Sequence, residues 1–526
     1  MPPSRPPFAA LVAALALAAA GLLAAPTAAA EPRGGTAVVA VTGDPGHLNP
    51  AISTAGPLHA VADSMFNGLV ALDRDGQPQP DLARSWSIAP DGRSVTFQLV
   101  PGVRWHDGKP FSSADVKFSF EELLLRLHAR ARAGLAPVLE AIETPDANTV
   151  VFRLRRAHPA LLRQLDVTEA PILPRHLYAG TDPNRNPANL EPVGTGPFRF
   201  ASYRRDEQVV LVRNPDYFKP GLPRLDRLVF RILPNANTQV AALLAGEVDM
   251  LQRVSALDLR RLQGQPVTAV DTRAAAGGAN CVMTLAFNLE RPRTGDLRVR
   301  QAFAHAIDRT RLLRLVAFDQ GRVAAAPIAS GIAWAHLPGA LDAWSYDPAR
   351  ANRLLDEAGL ARGSDGLRAT FDVLHFPAFA RYTDLMREQL AAVGIGLRVR
   401  LLDPAAFVPA VFTQRDFDLA LISYCNGTDP EIGVRRMVHS SAVGPVPFSN
   451  AAAFRDAEVD RLFDQAGATN DVAARGEAYR AAQRRLATLL PYWWLVETDF
   501  SAAWRSELAD FAPWSSQFAE TAWRRR

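Results

Sequence analysis

Lysine is nearly missing from this chain: of 58 basic residues only Lys109, Lys117 and Lys219 are lysines, and the other 55 are arginines. With 54 acidic residues the formal charge is only +4, and no basic block is interleaved with aromatics. Such a composition reflects coding bias rather than a phosphate-reading surface, and nucleic acid is not an expected partner. Metal-ligand spacing is absent too. The ten histidines show no His-x-His or His-Glu-x-x-His pattern, which argues against a zinc enzyme. Also lacking are a Gly-x-Ser-x-Gly elbow, a Walker loop and a dinucleotide-binding glycine loop. Gly194-Thr195-Gly196-Pro197 is glycine-rich, but a following proline and Phe198 suit a tight bend into a strand. Carboxylates are so numerous that some pair is always available. The expectation is a protein that is not an enzyme and that needs neither cofactor nor metal.

Charge is scarce at the start. Arg5 alone precedes Glu31, and Phe8 to Ala25 is an unbroken run of eighteen apolar or small residues. That length is borderline for a membrane span. Its alanine-rich make-up and the triplet Ala28-Ala29-Ala30 instead predict a signal peptide, residues 1–30, cleaved before Glu31. No cysteine stands beside the cleavage site to take a lipid, so the product is expected to be free in a periplasm. Later, Ala324 to Leu341 lacks Asp, Glu, Lys and Arg, but Pro327, Gly331, Pro338 and Gly339 interrupt it. Only Cys281 and Cys425 are present, and an oxidising compartment allows one disulfide between them.

What is present has two grammars. In the first part, Pro90-Asp91-Gly92 opens Ser94 to Leu99 and Pro145-Asp146 opens Thr149 to Leu154, each a turn followed by near-alternating β-branched and aromatic residues. They read as a common strand signal arising twice. Between them Ser112-Ser113-Ala114-Asp115 resembles a capping box, opening a helix to about Ala129. In the second part, Asp296 caps a helix with the stripe Val299, Ala302, Phe303, Ala306 and Ile307. Asp347-Pro348 starts a helix that Gly359 ends, and a third helix, Phe379 to Val393, stops at Gly394. Ile395 to Leu402 and Phe417 to Tyr424 read as strands around a helix from Pro404 to Thr413. Strand, helix and strand in that order predict a parallel or mixed sheet covered by helices. Tyr492-Trp493-Trp494, with Trp334, Trp344 and Tyr424, offers more ring surface than such a core needs, so part of it is expected at a ligand cleft.

Several segments in fixed order carry a family resemblance. They are Asp44-Pro45-Gly46-His47-Leu48-Asn49-Pro50, Phe66-Asn67-Gly68-Leu69-Val70 and Asp81-Leu82-Ala83-Arg84-Ser85-Trp86. After them come Pro101-Gly102-Val103-Arg104-Trp105-His106-Asp107-Gly108, Pro192-Val193-Gly194-Thr195-Gly196-Pro197-Phe198 and Arg213-Asn214-Pro215-Asp216-Tyr217. Together they resemble the peptide/nickel class (family 5) of extracytoplasmic solute-binding proteins that serve ATP-binding-cassette importers. The resemblance implies an α/β, two-lobed periplasmic-binding-protein fold (class II, cluster C type) with an extra small α+β domain on lobe one. Lobe one would comprise 31–75, 191–280 and 491–526, the appended domain 76–190, and lobe two 281–490. It also implies a monomer that holds a peptide or peptide-like solute between the lobes and docks on an ABC permease in the membrane. Other roles on this fold are import of an oligosaccharide, opine or metal chelate, or a sensor or chaperone-like function.

The same resemblance nominates ligand-binding residues. Thr54, Ala55 and Gly56 would line lobe one's wall, and Arg381 would hold a ligand carboxylate. Tyr424, Cys425, Asn426 and Gly427 fall on the family's cleft loop, and Trp493 and Trp494 would supply rings. Relatives that bind peptides carry on this loop an aspartate for the α-ammonium, and Gly427 stands there instead. Either Asp429 or Glu497 then takes its place, or the ligand lacks an α-amine, as a modified peptide, opine, oligosaccharide or metal chelate would. Cys281 and Cys425 match a cysteine pair in some relatives and are expected to be bonded.

Overall fold

The computed structural model describes residues 34–525 apart from 54, 266, 272–279, 403, 447, 500 and 513–514. The expected signal peptide and Thr54 lie outside the described residues. No helix among them is long and apolar enough to cross a membrane.

Three larger sheets organise the chain. A seven-stranded sheet runs in the order Thr268–Asp271, Ser501–Arg505, Met250–Val254, Thr36–Val41, Arg227–Ile232, Gln208–Arg213, Phe198–Arg204. Its centre is parallel, Thr36–Val41 beside Arg227–Ile232, with antiparallel flanks. A six-stranded sheet runs Arg322–Val323, Tyr492–Glu497, Cys281–Phe287, Leu419–Cys425, Ala369–His375, Ile395–Leu401. In it Ala369–His375 pairs parallel with both Ile395–Leu401 and Leu419–Cys425. The helices Leu297–Ala306, Pro348–Glu357 and Ala380–Ala392 belong to this half. This is the mixed, helix-covered sheet that the strand–helix–strand order predicts. A four-stranded antiparallel sheet, Ala83–Ile88, Ser94–Leu99, Thr149–Leu154, Leu139–Asp146, forms the appended unit. The two look-alike segments of the sequence are thus direct neighbours, Ser94 opposite Arg153 and Gln98 opposite Thr149.

Local signals place these elements. Asp115 accepts a hydrogen bond from the Ser112 backbone N–H at 2.9 Å, the return half of a capping box. The helix it opens, Ser113–Phe118, widens into a π-helical stretch at Ser119–Leu124 before ending at Leu127. Asp296 and Asp347 cap their helices through the Arg298 and Arg350 N–H groups at 2.9 Å each. All five residues of the predicted stripe from Val299 to Ile307 are buried. Gly194 and Gly196 lie so close to the Met65 backbone that no β-carbon fits at either, and the Thr195 hydroxyl donates to the Asn67 side-chain oxygen at 3.0 Å. The glycine-rich bend serves close backbone packing.

The apolar core divides along the same lines. One cluster takes only residues from Val282 to Val496, and a second joins the first lobe and the appended unit without a break, from Ala37 through Phe97 and Phe152 to Ala522. The domain boundary at 491 needs correcting. Tyr492–Glu497 is hydrogen-bonded into the second lobe's sheet against Cys281–Phe287, and its rings lie in that lobe's core. The chain therefore passes between the two large sheets twice, from Asp271 to Cys281 and from Glu497 to Ser501. The appended unit also reaches the second lobe directly. Arg163 stands 3.8 Å from Asp429, and Arg156 stands 3.6 Å from Glu431.

Candidate functional site

The strand Leu419–Cys425 ends where the second lobe faces the first, and the segment after it is the centre of the candidate site. Cys425 lies directly opposite Cys281 on the neighbouring strand, and the two are joined by a disulfide across 144 residues of chain. Cross-linking paired strands pins the register at the point where the chain leaves the sheet. Asn426 is fully buried: its backbone N–H donates to the Asn280 carbonyl at 3.1 Å, and its side-chain oxygen accepts from the Ala329 N–H at 2.8 Å. Gly427 follows with φ of 69°, a left-handed conformation that glycine adopts without steric cost. Its carbonyl accepts from the Asn280 amide at 2.7 Å. A β-carbon at Gly427 would touch only Ile432, so no carboxylate is hidden there and the position is open.

Neither expected substitute carboxylate is free. Asp429 is completely buried and is taken by Arg475 at 2.7 Å and by the Glu431 N–H at 3.0 Å, where it caps the turn Pro430–Gly433. The assignment of Asp429 to a ligand amine is corrected: it neutralises Arg475, itself buried. Glu497 is also committed. It accepts from the Ser330 N–H at 3.0 Å and from the Ser330 hydroxyl, with Arg322 3.7 Å away.

The aromatic expectation needs the same correction. Trp493 and Trp494 have at most 1% of their surface exposed. The Arg309 guanidinium covers the Trp493 ring at 4.1 Å, and Trp494 leans on Tyr492, which meets Tyr424 edge-on at 5.8 Å. Tyr424 donates its hydroxyl hydrogen to the Ser449 carbonyl at 2.7 Å. Tyr492, Trp493 and Trp494 fill the core behind the loop because the strand Tyr492–Glu497 is interior to its sheet and both its faces are covered, and Tyr424 joins them from the strand Leu419–Cys425. Arg381, nominated for a ligand carboxylate, lies on an exposed helix face with its guanidinium 5.9 Å from the Phe318 ring centre. Arg260, from the first lobe's half of the chain, approaches the same ring at 5.6 Å. Ala55 and Gly56 are exposed at the start of the helix Gly56–Ala62.

Sequence reasoning passed over the groups that the structure places about this loop. Arg436, on the short helix Arg435–Val438, is half-buried. It donates to the Cys425 carbonyl at 3.3 Å and to the Gly433 carbonyl at 3.4 Å. Burial draws its pKa below the usual arginine value, with Tyr424 raising it, Arg130 lowering it and Glu169 raising it. Arg130 and Glu169 belong to the appended unit, so Arg436 looks across from one lobe to the other. There Arg130 is paired to Glu169 at 2.8 Å. Next to them His59 and Asp63 form a buried pair at 2.8 Å, and the Thr168 hydroxyl donates to Asp63 at 2.7 Å. Burial, helped by Glu169 and Asp63, pushes the Asp166 carboxyl up to about 7. Burial also holds His128 neutral by drawing its pKa down to about 3. An arginine in a chain with 55 of them carries no signal, which is why Arg436 could not be picked out beforehand.

Residues 77–444 match the model of the bacterial extracellular solute-binding proteins, family 5. A putative ABC transporter peptide-binding protein of Brucella ovis is 32% identical over 479 residues, covering 89% of this chain and 88% of that protein. Among solved structures, the A. tumefaciens R10 protein AgaA in complex with agropinic acid is 26% identical, with a TM-score of 0.80 over 94% of this chain and 99% of that one. A dipeptide-binding protein of Pseudoalteromonas sp. SM9913 in complex with Met-Leu is 25% identical, with a TM-score of 0.79 over 93% and 100%.

Proposed function

Because the chain belongs to the family 5 bacterial extracellular solute-binding proteins, we propose that it is the substrate-binding component of an ABC importer, capturing a peptide or peptide-like small molecule between its lobes and delivering it to the permease. The observation that carries this is the junction itself. The loop from Cys425 to Gly427 is fixed by a disulfide and by Asn280, and beside it Arg436 feels Arg130 and Glu169 of the appended unit across the lobes. A pre-formed loop costs little ordering entropy when it meets a solute. Differential affinity for the closed arrangement then drives closure without covalent chemistry. Cleavage before Glu31, an unlipidated periplasmic product, a monomeric state and a three-part division near 76, 191 and 281 complete the reading.

A narrower reading of the solute has its own support. Gly427 offers no carboxylate, and Asp429 and Glu497 are both engaged. A ligand without a free α-amine suits this loop, as an opine or an N-blocked peptide would. The test is mass spectrometry of the molecule released from gently denatured periplasmic protein, with small-angle scattering before and after its return. A compact solute and a smaller radius on rebinding are expected. No released molecule and unchanged dimensions with peptides or opines would refute the proposal, and the intact mass of the same sample reads the N-terminus.

A further inference from the structure

We propose that Arg436 is the anchor for a carboxylate of the bound solute. This rests on the solute-binding reading above and adds to it the chemical group by which the ligand is held.

Other arginines of this chain that are buried or half-buried are satisfied internally. Arg475 has Asp429 at 2.7 Å. Arg309 lies on Trp493 and donates to the Ala324 and Trp494 carbonyls at 2.6 and 3.0 Å. Arg300 donates to the carbonyls of Thr294, Gly295 and Leu489 at 2.8 to 3.2 Å. Each is satisfied by a carboxylate or by short bonds to carbonyls. Arg436 has neither. Its two carbonyl contacts are long, and among the described residues no carboxylate lies within 4.0 Å of it. Even a partly desolvated cation without a counter-ion is costly, and proteins tend to pair such groups.

Its neighbour sharpens the point. Arg435 is engaged with Asp464 at 2.6 Å and Glu431 at 3.6 Å. One residue on, a helix has turned by about 100°, and Arg436 points instead to the end of the strand Leu419–Cys425. The fork lies beside the Asn426–Gly427 turn, the centre of the candidate site. The charges across from it do not supply the missing partner, since Glu169 is already paired with Arg130. The loop is therefore left with one uncompensated positive charge and no acid at Gly427. A planar guanidinium matches a carboxylate with two parallel hydrogen bonds. Arg381, exposed and placed against Phe318, is not needed for this role.

The experiment uses the full mature chain and a panel of dipeptides, each free, C-terminally amidated or N-acetylated, with binding read by calorimetry. Wild type should bind free and N-acetylated forms alike and the amides about 30-fold or more weakly. Arg436→Gln should lose a similar factor for the free acids and no longer distinguish acid from amide, while Arg436→Lys keeps part of the preference. The solute-free melting temperature of Arg436→Gln should not fall, because no internal counter-ion is stranded; a structural arginine would give a drop. Amides that bind as well as acids, or an Arg436→Gln variant within about threefold of wild type, would overturn the anchor and leave the transport reading standing. No binding of any panel member by wild type would overturn the peptide reading and the anchor together.

Discussion

Two arginines alike in chemistry but not in role mark the second lobe. Arg475 sits in a closed circuit: Asp429 neutralises it, Tyr479 lies 3.4 Å from it, and Trp334 stacks on it at 4.9 Å. Arg436 sits in an open one, held by two long bonds to carbonyls. Both are flanked by the same loop. The difference teaches how to separate architecture from function within one run of residues: charges that balance internally hold the loop's shape, and the charge that does not is available to something from outside. Buried ion pairs contribute little net stability when intact, but their halves are expensive to leave alone.

The comparison breaks most visibly at Asp429. Asp429→Ala strands Arg475 in the core, and we expect a loss of about 3–5 kcal/mol in denaturant unfolding; an unchanged midpoint would return Asp429 to the pool of ligand-binding groups. Trp493→Ala should also cost about 3–5 kcal/mol, from cavity formation under Arg309, while solute affinity in the folded fraction stays near wild type. A collapse of affinity without lost stability would move that ring back to the cleft. Asp166 tests the other wall. Its carboxyl is raised to about 7 from an ordinary value near 3.8. Ionising it therefore costs the folded state nothing below pH 4, increasingly more between 4 and 7, and the full amount above 7. Asp166→Asn should accordingly stabilise the protein at pH 8, by up to about 4 kcal/mol, and leave it almost unaffected at pH 4. Equal effects at both values would contradict the assignment. The smallest effect belongs to Arg381→Gln, which should change dipeptide affinity by less than about twofold, consistent with an exposed cation–ring contact.

Much of the fold was legible because it rests on local rules. Ser112, Asp296 and Asp347 mark helix starts by side-chain chemistry within three residues, and Gly359 and Gly394 stop helices through positive φ. The site was legible only as a loop. Asp429 looks free until Arg475, 46 residues later, is folded against it. Trp493 and Trp494 have the same composition whether a strand is interior or lines a cleft. Only the pairing of both edges of Tyr492–Glu497, with Cys281–Phe287 and with Arg322–Val323, makes it interior. That pairing also moved the boundary drawn at 491.

The two passages between the large sheets leave and enter at neighbouring places. Val282 is paired with Glu497, so the strand that arrives and the strand that departs are side by side. Two tethers anchored together behave like the spine of a book. Everything fixed to either cover moves with that cover. A distance between one label on the Arg381 helix face and one on the Arg260 helix follows how the two halves sit at Phe318. Both halves meet at the Phe318 ring, which Arg260 approaches to 5.6 Å and Arg381 to 5.9 Å, so that distance reads directly whether the contact holds.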